Sequence, residues 1–141
     1  MSLVVRISNG KIVEKSVAEG KVFDVVKKRG AELLGRWNPA LSDFIILRDF
    51  VTLTFPAPIT KELLEKIREF SPKRIGDKIE VTVPVFEVVY NSTWAGDNMK
   101  IDDAVVVAPH IDDESDERIL DQVVREFAES GAEEEENLEL E

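Results

Sequence analysis

Cysteine is absent from the 141 residues. That removes disulfide frameworks, thiolate zinc sites and cysteine nucleophiles together. Histidine occurs once, at His110, so a His-Glu-x-x-His metal motif cannot exist. Glycine-rich signatures for dinucleotides or nucleoside triphosphates are missing. No apolar run approaches the roughly 18 residues of a membrane span, and the N-terminus lacks a long apolar h-region. The expectation is a cytoplasmic protein with no membrane partner.

What the chain does have is one domain's length, with 43% hydrophobic and 33% charged residues, a composition that folds. Glu and Lys dominate its charge and Gln occurs once, a usage that suits a hyperthermophile. The net charge of −11 is unevenly placed. Residues 112–141 hold 14 acidic and 2 basic side chains, a net of −12, which leaves residues 1–111 at +1. The basic clusters Lys27-Lys28-Arg29 and Lys73-Arg74 are read as solvated faces, and nucleic acid is not an expected partner. The sequence predicts a single α+β domain over 1–131 and an acidic, disordered tail over 132–141. The tail is read as a solubility device or a docking segment for a basic protein.

The densest apolar stretch, Phe44 to Phe55, anchors the fold. Phe44 to Leu47 is apolar throughout, whereas Val51, Leu53 and Phe55 alternate with Thr52 and Thr54. We expect two strands with a turn at Arg48-Asp49, with a longer type I loop or one bent strand as the alternatives. Before it, Asn9-Gly10 signals a hairpin between Leu3–Ser8 and Lys11–Val17. A three-residue loop with Val5 opposite Val13 keeps the apolar residues on one face. Two helices follow the 3.6-residue period, over about 21–37 and 61–70, with Gly20 and Thr60 as caps. Asn38-Pro39 ends the first, and Trp37 belongs to the core.

Residues 78–90 read as strand, with a bulge or kink and an unpaired edge at Pro84. Residues 91–103 show no periodicity and read as the longest internal loop. Residues 104–108 form a short strand, and a third helix runs over about 115–130 to a cap at Gly131. The order is ββα-ββα-ββ-βα. An α+β fold follows, with a mainly antiparallel sheet and about three helices packed on one face.

Candidate chemistry collects in two places. The loop Trp94-Ala-Gly-Asp97-Asn98 joins Asp102 and Asp103 on one side of the 104–108 strand. His110 and Asp112 lie on the other. Trp94, Asp97, Asn98 and His110 form the candidate binding loop. Asp97, Asp102, Asp103 and Asp112 are the oxygen donors for a possible divalent metal. The plain alternative is that Asp at a helix start stabilises its positive end and Asp in a loop serves a turn. A five-residue strand holds the two groups about 15 Å apart, so a shared site requires the loop to fold back. No resident cofactor is otherwise implied.

Leu41-Ser-Asp-Phe-Ile-Ile-Leu-Arg-Asp49, Val81-Thr-Val-Pro-Val-Phe86 and the Asn91 to Asp97 segment together resemble a small family of hyperthermophilic archaea without an assigned function. The resemblance implies an archaeal cytoplasmic protein and carries no active site with it. With no catalytic motif, the expectation is a non-enzymatic binding or assembly module that forms a homodimer through an edge strand. The alternative is a divalent-metal-dependent enzyme acting on a phosphate-bearing substrate.

Overall fold

Asn9 and Gly10 both take left-handed backbone angles, φ 51° and 76°, the pair that a two-residue hairpin turn demands. They join β1 (Ser2–Ser8) to β2 (Lys11–Ala18). Ser8 faces Lys11 and Ile7 faces Ile12; a bulge then sets Arg6 opposite Glu14 and Val5 opposite Lys15. This corrects the expected three-residue loop. That loop was chosen to bury Val13, but every residue of β2 is exposed or half-buried. With no covered face to satisfy, turn chemistry sets the register.

A computed structural model describes residues 1–36 and 45–139 of the chain. The expectations for Trp37, the Asn38-Pro39 stop and Phe44 lie outside the described residues. The first helix, α1, spans Val22–Arg36. Its first turn closes from Val25 N–H onto the Lys21 carbonyl, so Lys21 occupies the cap and Gly20 stands just outside it.

β3 (Ile45–Pro56) is one strand, where the sequence predicted two. It pairs with β5 (Lys78–Ala95) without a register shift, from Ile45 opposite Val89 to Pro56 opposite Lys78. A partner of 18 residues supplies hydrogen bonds along the whole of β3 and outweighs the polar pair Arg48-Asp49. Between them lie α2 (Lys61–Ile67), a 3₁₀ turn (Arg68–Phe70) and the short β4 (Lys73–Ile75). The Thr60 hydroxyl caps α2 by accepting from Leu63 N–H at 3.2 Å. Thr60→Ala is expected to lower stability by about 1 kcal/mol, read as the shift in a urea midpoint.

The expected 91–103 loop is also corrected. β5 continues to Ala95, turns at Gly96-Asp97, and returns as β6 (Asn98–Pro109). Gly96 has φ 63°, as the first central residue of a type II′ turn requires. The arms are mostly exposed, so no apolar period marks them; cross-strand contacts such as Trp94 opposite Met99 hold the ribbon. The register shift of β5 falls around Asn91 against β6, and β3 passes Pro84 undisturbed. The expected unpaired edge is nevertheless there. β4 covers β5 only at Lys78–Glu80, and β6 pairs with it only from Phe86 onward.

α3 spans Asp113–Glu139 and passes the expected cap at Gly131. One glycine costs a helix about 1 kcal/mol, which the Ala- and Glu-rich sequence around it offsets. Residues 132–139, expected to be a tail, are helical backbone.

The sheet runs β2-β1-β6-β5-β3, antiparallel throughout. The fold class is α+β as expected, but the helices divide between its faces. Leu3, Val5, Leu53, Val83, Val106 and their neighbours pack with Ile67 of α2 and with Ile119, Leu120 and Val123 of α3. Val4, Val88, Val105 and Val107 on the opposite face pack with Val25 and Val26 of α1. Both parities of β5 and β6 are therefore covered around residues 85–89 and 104–108, and apolar there except for Glu87, as a sheet covered on both faces requires.

Candidate functional site

The two groups of acidic residues picked from the sequence are held apart by β6. Asp97 sits in the turn at the tip of the β5–β6 ribbon, with Trp94 and Asn98 just below it. Trp94 is 56% exposed. Asp102 accepts from the Thr93 hydroxyl at 2.5 Å, and Asp103 accepts from Asn91 Nδ2 at 2.8 Å. Both carboxylates are tied to the ribbon's own cross-strand network. Asp103 and Pro109 are six residues apart along a strand, about 20 Å, so His110 and Asp112 lie beyond reach of this group.

Asp112 serves the helix. Its Oδ1 accepts from Ser115 N–H at 2.7 Å and its carbonyl from Asp116 N–H at 3.0 Å, so it is the N-cap of α3. His110 meets a residue the sequence did not single out, Asp116, whose Oδ2 lies 2.6 Å from His110 Nδ1. Asp116 is 1% exposed, and its Oδ1 has no hydrogen-bond partner among the described residues. Burial pushes its carboxyl pKa up; the His110 contact and the charge of Lys15 pull the other way. Asp113 completes a triple with His110 and Asp116 whose ligand atoms lie within 4.8 Å of one another. The Asp116 carboxylate orients the imidazole, and the adjacent Ser115 hydroxyl is buried without a partner among the described residues. The sequence signal was the i to i+6 spacing across a helix start, which is too common to select.

A cavity of about 390 Å³ opens where β5 lacks a partner. It exists because Pro84, with no N–H to donate, occupies the stretch between the reach of β4 and that of β6. Phe23 of α1, Phe70 of the 3₁₀ turn and Phe86 of β5 supply its apolar wall. Phe23 and Phe86 meet edge to face with centroids 6.3 Å apart. Arg48 of β3 also lines the cavity, its guanidinium 5.7 Å from the Phe86 ring and 4.9 Å from that of Phe50. Phe23 and Phe50 are about half exposed, at 55% and 50%. Lys21 brings a second cation and Glu69 an acid. Carbon surface, exposed ring faces and a guanidinium held against them suit a flat molecule with a negative group. Residues from five elements and from the loop before α1 line this pocket, and no local pattern links them.

Among the described residues no helix is long and apolar enough to cross a membrane. No curated protein and no solved structure matches the chain. A family model described as an uncharacterized protein conserved in archaea (DUF2286) matches residues 1–128, in agreement with the archaeal resemblance seen in the sequence. The chain belongs to that family.

Proposed function

We propose that the protein is a non-enzymatic binding module whose pocket beside Pro84 takes a small planar molecule carrying an anionic group. The observation that carries this reading is the cavity itself, with Phe23, Phe70 and Phe86 on its wall and Arg48 at its edge. The rings supply area; the guanidinium supplies the charge-assisted hydrogen bond that orients a carboxylate or phosphonate. Benzoate and benzamide are suitable probes, because they share a ring and differ in charge. In an amide-resolved NMR titration, benzoate is expected to shift resonances around Phe86 and Phe23. Arg48→Gln should weaken benzoate about tenfold, the size of one charged hydrogen bond, and leave benzamide unchanged. Phe86→Ala should weaken both. Benzoate that binds the Arg48→Gln protein as well as the parent would remove the reading.

A homodimer is the second reading, favoured by β2. This strand ends the sheet and exposes Ile12, Val13 and Val17 at 43%, 50% and 42%. The bulge opposite Arg6–Ile7 and the lysines at positions 11 and 15 discourage simple strand addition, so the apolar side chains would form the contact. Sedimentation equilibrium at high micromolar concentration tests it. A dimeric parent that becomes monomeric on Val13→Lys plus Val17→Lys supports the reading, and a monomeric parent ends it.

A further inference from the structure

α1 covers only part of its face of the sheet. It packs on Val4, Val88, Val105 and Val107. Toward β3 and β4 the same face continues, and among the described residues no element lies across it. Arg48, Phe50, Thr52 and Thr54 of β3 are exposed there, as is Thr82 of β5. They alternate with Val51, Leu53, Val81 and Val83, whose side chains fill the core on the other face. The hydroxyls of Thr52 and Thr82 meet at 3.2 Å and are free to turn toward a polar ligand.

This open face is aromatic at one end and cationic along its length. Phe50 stands opposite Pro84, and Arg48 opposite Phe86. Phe23 of α1 meets Phe86 edge to face. Each half-exposed ring carries a cation: Lys27 Nζ lies 4.6 Å from the Phe23 centroid, and the Arg48 guanidinium 4.9 Å from that of Phe50. Strand pairing carries the charge further. Lys73 of β4 faces Glu80, and Ile75 faces Lys78, so Lys73 and Lys78 share the side of Thr82 and Phe86. Arg48, Lys73 and Lys78 against Glu80 make three cations to one acid, a net of +2 on these strands, and Lys27 adds to it. The whole chain carries −11, so the fold has sorted its charge. α3, which begins among acids, packs on the opposite face. In the sequence Lys73 stands only beside Arg74; the sheet brings it to the face of Arg48.

We propose that this face binds single-stranded nucleic acid, with bases stacked on Phe23, Phe50 and Phe86 and phosphates held by Arg48, Lys73 and Lys78. The inference rests on the reading of the aromatic pocket, because a nucleotide is itself a planar group with a negative charge; it extends that reading from one such group to a strand. Rings on which any base can stack, with cations that track a backbone, are what a single strand requires. A duplex keeps its base faces hidden. A second copy would set these cations against their own kind across a two-fold axis. Phe86 and Lys78 are eight residues apart along β5, about 26 Å. That is room for about four nucleotides, the lower end of what one oligonucleotide-binding domain covers.

Labelled oligothymidylate of about twelve nucleotides, titrated with the full chain and read by fluorescence anisotropy, is the test. Binding is expected at low salt, weakening as salt rises with a logarithmic slope of about −2 to −3, the value for three or four phosphates. Oligouridylate is the second arm; binding of either strand supports the proposal, and the tighter one names the sugar. Phe50→Ala removes a half-exposed ring outside the core, and should weaken binding at least about fivefold, the size of one stacked base. Lys73→Gln plus Lys78→Gln should weaken it and flatten the slope by about 1.4, while benzoate still binds at the pocket. Benzoate binding without oligonucleotide binding overturns this proposal and spares the pocket; loss of both overturns both. An oligonucleotide that binds the Phe50→Ala protein as tightly as the parent, or no better than polyphosphate of equal charge, overturns it as well. So does binding to phosphatidylglycerol vesicles in place of the oligonucleotide, which assigns the face to a lipid surface. A dimer that Phe50→Ala dissociates overturns it in favour of a second copy.

Discussion

Glu87→Gln, measured in chelator, should stabilise the protein at pH 8 by about 3 kcal/mol and change little at pH 4. Burial, then the charges of Glu126 and Asp49, raise the Glu87 pKa from an ordinary 4.5 to about 7. The sign follows from proton counting. Below pH 4.5 folded and unfolded chains both hold the proton, and the group makes no difference. Between 4.5 and 7 the unfolded chain releases it while the folded chain keeps it, so stability falls as pH rises. Above 7 both are ionised and the loss has reached its plateau. A shift of this size corresponds to about 3 kcal/mol at roughly 1.4 kcal/mol per unit. A glutamine amide cannot ionise and can donate to the two remaining carboxylates, so the variant should lose most of the slope. Urea titrations from pH 4 to pH 8 decide it. Parallel curves for parent and variant would mean that Glu87 is solvated in the folded state.

The same residue shows how far the sequence could be read. Residues 78–90 were legible as a strand from their β-branched and aromatic content, and Glu87 stood in plain view between Phe86 and Val88. An acid inside a run apolar on both parities marks either an exposed edge or a buried group with a task. Only the placement of α3 across that face tells the two apart. The place of the first hairpin at Asn9-Gly10, though not its loop length, α1, α2 with its Thr60 cap, and the start of α3 were legible because each is fixed by neighbours in the chain. Thr60 needs only Leu63; Asn9 and Gly10 need only their own backbone freedom.

The errors were of the opposite kind. Arg48 and Asp49 look like a turn until β5 runs alongside them. Their polar chains then point to opposite faces, Arg48 onto Phe50 and Phe86 and Asp49 toward Glu87. The ribbon over residues 91–103 has no covered face, hence no period, and only pairing between its arms makes it a strand pair. The aspartates chosen as metal donors were chosen by density in the sequence. The structure brings carboxylates together by topology instead, at Asp49, Glu87 and Glu126. The pocket follows the same rule: Pro84 was legible as an interruption, but the residues that line the space around it come from widely separated segments of the chain.

His110→Ala should destabilise the protein by about 2–3 kcal/mol near neutral pH, the cost of stranding a buried acceptor. The imidazole is the one hydrogen-bond partner of Asp116 Oδ2 among the described residues, and Oδ1 already lacks one. Removing the ring leaves a carboxylate at 1% exposure with Lys15 as its nearest recorded favourable charge. Packing alone would cost something too, since the His110 side chain is largely buried; the bond from its backbone N–H to the Met1 carbonyl at 3.1 Å is one that alanine keeps. The two contributions separate by pH. Burial holds the Asp116 pKa up, and His110 is the first of the influences that lower it. Without the ring that pKa climbs further, so the variant should regain stability as pH falls and Asp116 takes up a proton. The measurement belongs in the Glu87→Gln background, where the other raised carboxyl contributes no slope. A urea midpoint for the His110→Ala chain that rises between pH 7.5 and pH 5 assigns the loss to a stranded charge. A midpoint that stays level assigns it to packing, and Asp116 would then be an acid already neutral in the folded protein.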